Sequence, residues 1–190
     1  FTLALAVDRY ETRRHLVLEE ANAIGTTYLR TQLLEEPHRS RISRMLVDYT
    51  GNRIAMAKAS PEPVPPLVAA NDRMVSDLWT ATVSAFQTIK GLDFSSSYLE
   101  SMNAVIDLDA ARKAARQARV PTEVFAVLFI YLVVSSGVLG YVLNGSRASA
   151  GFMLVLLTLA LLMVLDIDRP LMGGVRIGQG PMEALSASLK

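Results

Sequence analysis

Hydrophobic and polar positions follow two different rhythms along this 190-residue chain. From Thr122 to Leu143, and again from Ala148 to Leu165, the chain is apolar almost without interruption. The first run has one ionisable residue, Glu123 at its start, and the second has none. About 20 mostly apolar residues, each rising about 1.5 Å, cover a hydrocarbon layer roughly 30 Å thick. The two runs therefore predict a transmembrane helical hairpin over 122–165, with the short polar stretch NGSRASA at its tip. The competing reading is a pair of core helices in a soluble protein. Two uncharged runs this long, bounded sharply by charge, do not fit inside one small soluble domain.

Upstream the period is helical and amphipathic. Residues 8–34 predict one long helix, with Leu16, Glu20, Ala23, Ile24, Thr27, Tyr28 and Thr31 on one side and a polar strip of Glu19, Asn22, Thr26 and Arg30 beside it. The Glu35-Glu36-Pro37 run ends it. A second, basic helix follows over about 38–59, with Ile42, Met45, Leu46, Tyr49 and Met56 as its apolar stripe. The proline-rich SPEPVPP stretch (60–66) reads as an extended connector. A third helix is expected over about 67–90 with Gly91 as its C′ residue. A fourth starts after the serines at 95–97 and runs through DAARKAARQAR to Pro121. No strand pattern is present, so the fold class is all-α: an integral membrane helical bundle with an elongated helical cytoplasmic region.

Charge supplies the orientation. Arg112, Lys113, Arg116 and Arg119 precede the hairpin, Arg169 and Arg176 follow it, and the tip has only Arg147. Lys/Arg excess marks cytoplasmic flanks. The apolar Phe1–Val7 stretch is too short to span a bilayer and reads as the end of a truncated transmembrane helix, followed by Arg9, Arg13 and Arg14. These readings give 1–7 as a helix end, 8–121 as a cytoplasmic helical region, 122–165 as the hairpin and 166–190 as a cytoplasmic C-terminal tail. The expected location is the inner membrane, with several passes.

Composition narrows the chemistry. Hydrophobic residues make up 51% and mean hydropathy is +0.31, an excess that sits in the hairpin. A formal charge of +1 gives no drive toward nucleic acid, and the basic residues near the spans suit topology and anionic lipid. With no cysteine there is no disulfide framework and no thiolate. His15 and His38 have no partner at zinc-ligand spacing. The Gly173, Gly174, Gly178 and Gly180 segment lacks a G-K-[ST] ending and a preceding strand, so it reads as an extended interfacial segment rather than a phosphate loop. Asp166 and Asp168 read as the stop of the second span, with Pro170 barring its continuation; two carboxylates alone are poor grounds for a divalent cation. Ser135 and Ser136 have no His or acidic partner at matching depth. Ser136, Gly137 and Gly140 suit close helix packing instead, and Glu123 suits an interfacial anchor. No metal, cofactor or enzyme constellation is expected. The strip just below the bilayer can be read as a pore or vestibule lining, with Thr2, Leu5, Arg9, Glu19, Asn22, Thr26 and Arg30 as candidates. It can equally be a surface helix with intrahelical ion pairs, Glu20 flanked by Arg13 and Arg14.

Several motifs carry a resemblance: Asp8-Arg9-Tyr10 through Glu19-Glu20-Ala21-Asn22-Ala23-Ile24-Gly25-Thr26-Thr27-Tyr28-Leu29-Arg30, then Glu36-Pro37-His38-Arg39, Tyr49, the basic run to Pro121, and the 165–177 ending. The chain resembles the bacterial bestrophin-like domain family over nearly its whole length, with Leu171 where that family usually has an aromatic residue. The resemblance implies an N-terminal transmembrane pair of which only the last turns are present, and kinship to bestrophins, which are pentameric anion channels with a helical cytoplasmic part. No acidic cluster resembles the bestrophin calcium clasp, so calcium gating is not carried over. The resulting expectation is a homo-oligomeric ion channel, pentameric and slightly anion-favouring, in contact with lipid and small inorganic ions. The alternative is a non-conducting membrane scaffold or sensor that binds a protein partner or lipid through its cytoplasmic helices.

Overall fold

The fold is taken from a computed structural model, which describes every residue except 1, 60–63, 119, 143–146, 169–176 and 190. Of residues 2, 64, 147, 149, 150 and 168 it describes the backbone alone. The readings that rest on Phe1, Arg119, Gly145, the side chain of Arg147, Arg169, Pro170, Leu171, Gly173, Gly174 and Arg176 therefore lie outside the described residues, as do residues 60–63 of the connector.

Seven helices follow in order among the described residues: α1 (Thr2–Thr31), α2 (His38–Lys58), α3 (Val64–Ile89), α4 (Ser95–Gln117), α5 (Thr122–Val142), α6 (Arg147–Asp168) and α7 (Gly180–Ser188). No strand occurs among them, and the chain is all-α. The helices match the amphipathic pattern, with differences at their ends. α3 starts at Val64, inside the proline run rather than after it. Pro65 and Pro66 fall in its first turn, where a missing N–H removes no intrahelical bond. Gly91 is no left-handed cap, since no described glycine has a positive φ. The chain instead leaves α3 through two tight turns, Leu92 N–H to Ile89 O at 2.8 Å and Ser95 N–H to Leu92 O at 3.0 Å. α6 does not stop at Asp166 but includes it and ends at Asp168. The tail is not wholly extended either: Gly180–Ser188 is helical, with Pro181 in the first turn, a position it favours.

The chain divides into two units. The first holds residues 1–11 and 116–176, the second residues 12–115 and 177–190. In the first, α5 packs on α6, and Ala6, Val164 and Ile167 form a small buried cluster with Tyr10 and Phe125 against it. α5 buries none of its 21 residues. It supplies the 18-residue window of mean hydropathy 2.2 that makes the Ser95–Val142 stretch long and apolar enough to cross a membrane, since α4 is polar. α6 carries a shorter apolar stretch, Gly151–Ile167. Phe129, Ile130, Tyr131 and Tyr141 on α5 are all exposed. Burying each would gain roughly 1.5–3 kcal/mol, so a solvent other than water suits this surface.

In the second unit α2 packs on α3 and on α7. The core draws Val17 and Ile24 from α1, Ile42 and Leu46 from α2, Leu78 and Ala85 from α3, and Met102 and Val105 from α4. α7 adds Met182, which is fully buried, and Leu189 closes the end of the cluster. α7 comes close to α1 at Gly25, where an added Cβ would lie 3.2 Å from Leu185 Cδ1.

Candidate functional site: a buried ion cluster on the inner face of α1

Hydrophobic helices need only burial, yet the centre of the second unit is charged. Glu20, Tyr49, Arg53 and Asn71 are 0% exposed, Asp109 is 3% and Arg112 is 5% exposed. Four helices supply these side chains, one turn or more from either end of each helix. Buried charges survive only when paired and fully hydrogen-bonded, and here they are. Tyr49 donates its hydroxyl to Glu20 Oε1 at 2.6 Å. Arg53 sits at 3.0 Å from Glu20 Oε1 through Nε and at 3.1 Å from Oε2 through Nη2, a two-pronged contact. Its third nitrogen, Nη1, donates to Asp109 Oδ1 at 3.1 Å. Asn71 Nδ2 donates to the same oxygen at 2.8 Å. Arg112 donates to Glu20 Oε2, and its other arm reaches Gln179 Oε1 at 3.5 Å. Lys113, half-buried, bridges Asp109 Oδ2 and Asp72 Oδ1 at 2.5 Å each.

The electrostatics follow from this geometry. Burial, and then the Glu20 charge, push the Tyr49 phenol well above its ordinary range. For Arg53, burial opposes the cation, but Glu20, Tyr49 and Asp109 outweigh it and the guanidinium is held above its usual value. For Arg112 burial wins over Glu20, and its value is lowered. Lys113 loses some solvation, yet its bonds to Asp109 and Asp72 raise it. The centre is charge-balanced: two carboxylates, Glu20 and Asp109, stand opposite two guanidiniums, Arg53 and Arg112. Lys113 and Asp72 form a further balanced pair.

α1 is tied to α4 along its length as well. Arg13 Nε donates to Ala115 O at 3.0 Å, one of the last carbonyls of α4, which lack an intrahelical donor. Thr27 Oγ1 donates to Ser101 O at 2.9 Å, and Arg30 donates to Ser97 O. The pairs run in opposite directions, so α1 and α4 are antiparallel. Deeper in the core the Tyr98 hydroxyl is buried, and that burial pushes its pKa upward.

The sequence-predicted residues fall in different places. Thr2 has no described side chain. Leu5 is 40% exposed. Asn22 and Thr26 are exposed, and Arg9 and Arg30 are half-buried. Glu19 is partly exposed and lies 3.4 Å from His15. Asn22 and Thr26 border an open cleft of about 570 Å³ between α1 and α7, with Leu18, Pro181 and Ser188 among its walls. Thr26 and Arg30 border another of about 240 Å³ against Glu100 on α4. No neighbour within 4 Å would meet a Cβ at Gly137 or Gly140, and Ser136 Oγ donates to Leu132 O at 2.6 Å. The surface-helix reading paired Glu20 with Arg13 and Arg14 on its own helix. Its partners are instead Arg53 and Arg112, 33 and 92 residues away. Arg53 and Arg112 read in the sequence as members of basic runs; only Glu20 lying inside the stripe with Ile24 and Thr27 hinted at a buried acid.

The described residues thus combine a 21-residue apolar helix, α5, that buries none of its side chains with a charged cluster at the centre of the second unit. The family model of the Bestrophin-like domain matches residues 1–182. The chain belongs to that family, which suggests a membrane protein related to the bestrophin channels. No curated protein and no solved structure matches it.

Proposed function

We propose that the protein is a homo-oligomeric, multi-pass membrane channel for small ions, pentameric and slightly favouring anions, with α1 lining the path. The observation that carries this reading is α5: 21 residues, none buried, in a chain of the Bestrophin-like domain family. Lipid is the solvent for such a helix. A second support is the exposed strip on α1, where Asn22 and Thr26 present neutral dipoles between the exposed Leu18 and Leu29, a lining that ions can pass without being trapped. Residues 8–121 and the C-terminus are assigned to the cytoplasm, in the inner membrane, on the Lys/Arg bias. No cofactor, metal, nucleic acid or enzymatic step enters this reading.

The test is ion flux from liposomes carrying the purified oligomer, with particle mass measured alongside. Conductance that varies among anions and cations supports the channel. A correctly folded oligomer silent to every ion and voltage removes it. In that case the scaffold reading takes over, favoured by the exposed Trp79 and Val83 one turn apart on α3, side chains suited to a partner protein.

A further inference from the structure

The buried residues of α1 in the second unit share one stripe. Arg13, Val17, Glu20, Ile24, Thr27 and Thr31 are all buried, at steps of three and four residues. With 3.6 residues per turn, Asn22 stands roughly 200° round the helix from Glu20, on the exposed side with Leu18 and Leu29. The two kinds of contact in the stripe differ in what they specify. Val17 and Ile24 are held by burial, which has no preferred direction. Glu20 is held by donors from two other helices, Tyr49 and Arg53 on α2 and Arg112 on α4. Hydrogen bonds weaken steeply with angle and distance. A rotation of α1 that left Val17 and Ile24 buried would therefore still break the Glu20 contacts, leaving buried Arg112 without its carboxylate and Arg53 with Asp109 alone.

We propose that Glu20 is a positioning residue that sets the rotation of α1, and so decides that Asn22 and Thr26 face outward. Tyr49, Arg53 and Arg112 act through it. The consequence for transport rests on the channel reading, because only a path along α1 makes its rotation matter to ions. The rotation itself can be measured without flux.

These 190 residues contain no cysteine, so single cysteines placed in an oligomer of this chain are labelled without background. Asn22→Cys and Val17→Cys are labelled with a charged thiol reagent. In the parent, Asn22→Cys should react at least about tenfold faster, because Val17 is reached only by local opening. Adding Glu20→Gln should bring the two rates within about threefold of each other, with helix content and particle mass unchanged. Tyr49→Phe removes the hydroxyl's short bond to Glu20 and its long one to Asp109, keeps every charge, and should reduce the contrast by about threefold; it carries the test if Glu20→Gln does not fold. Glu20→Asp, which keeps the charge, should recover part of the contrast, as a simple packing defect would not. In liposomes the same variants should change the relative permeability of ions. An unchanged labelling contrast in folded Glu20→Gln, or in folded Tyr49→Phe where Glu20→Gln fails to fold, overturns the proposal. A contrast that collapses in Glu20→Gln while even the parent shows no flux supports the rotational lock and removes the channel reading.

Discussion

Replacing Glu20 by glutamine removes one of two buried carboxylates that face two buried guanidiniums. In the parent, Glu20 and Asp109 balance Arg53 and Arg112, and all four are at most 5% exposed. In the variant, Asp109 stands alone against both cations. The glutamine carbonyl can still accept from Arg53, but its amide adds a donor where Tyr49, Arg53 and Arg112 already donate. Breaking a buried pair from one side costs about 3–5 kcal/mol, because the surviving charge stays desolvated. A domain is stable by only about 5–15 kcal/mol, so this is a large fraction. At about 2–4 °C per kcal/mol for a chain of this size, the midpoint should fall by about 6–20 °C. The assay is thermal unfolding of the detergent-solubilised oligomer, followed by circular dichroism. Adding Arg112→Gln restores neutrality, and the double variant should lose about 1–3 kcal/mol less than the sum of the two single losses. A single-variant loss under about 1 kcal/mol would show that the carboxylate does not hold the bundle. Strict additivity in the double variant would show that Glu20 and Arg112 do not act as a pair.

Four further outcomes follow from contacts within the second unit. The folded state holds protons on Tyr49 and Lys113 more tightly than the unfolded chain does, since both values are raised from 10.0 and 10.5. Their stabilisation is complete below about pH 10 and is lost as pH climbs through the raised values; Tyr49→Phe should flatten that alkaline fall in a pH series of melting curves. Thr27→Val removes the bonds to Ala23 O and Ser101 O and should cost about 1–2 kcal/mol in denaturant unfolding. Gly25→Ala should be near neutral, as the helix gains about 1 kcal/mol while the end of Leu185 gives way at 3.2 Å. Gly25→Leu should displace α7 and abolish a Lys58→Cys/Glu183→Cys crosslink, placed where those side chains now pair at 2.6 Å.

Much of the architecture is readable from local pattern. α5 is apolar beyond Glu123 and α6 is apolar from Gly151 to Leu165, and α2 shows its stripe of Ile42, Leu46, Tyr49 and Met56, all buried. Local rules failed where a tertiary contact decided. α7 lies in a glycine-containing tail and is short, and isolated helices of nine residues are marginal in water. It is held by Met182 in the core and by the close approach at Gly25. The ion cluster is harder still. Its members are scattered over four helices, and Arg53 sits in a basic helix beside the exposed Arg41 and Arg44, indistinguishable from them by type. The one local signal is that Glu20 falls in the buried period of α1, and an acid there implies a cation elsewhere in the fold.

On the proposed channel reading, the balance of the cluster bears on ion preference. Glu20 and Asp109 cancel Arg53 and Arg112, and Asp72 offsets Lys113. Such a neutral group has little field beyond a Debye length of about 8 Å, so it can orient α1 without biasing which ion passes. The fixed charge on the adjoining part of α1 comes from Arg9, Arg13 and Arg14 against Asp8 and Glu11, three cations against two carboxylates. Arg13 is buried with its Nε on Ala115 O, whereas Arg14 is exposed. Any anion preference along α1 should therefore depend on Arg14 more than on Arg53 or Arg112. Arg14→Glu should move the reversal potential under a salt gradient toward that of a cation path, and raised ionic strength should weaken the effect as screening grows. A reversal potential that stays put in Arg14→Glu but shifts when Arg53 is replaced in a folded oligomer would place the selecting charge inside the cluster, and the division between an orienting core and a selecting outer face would be wrong.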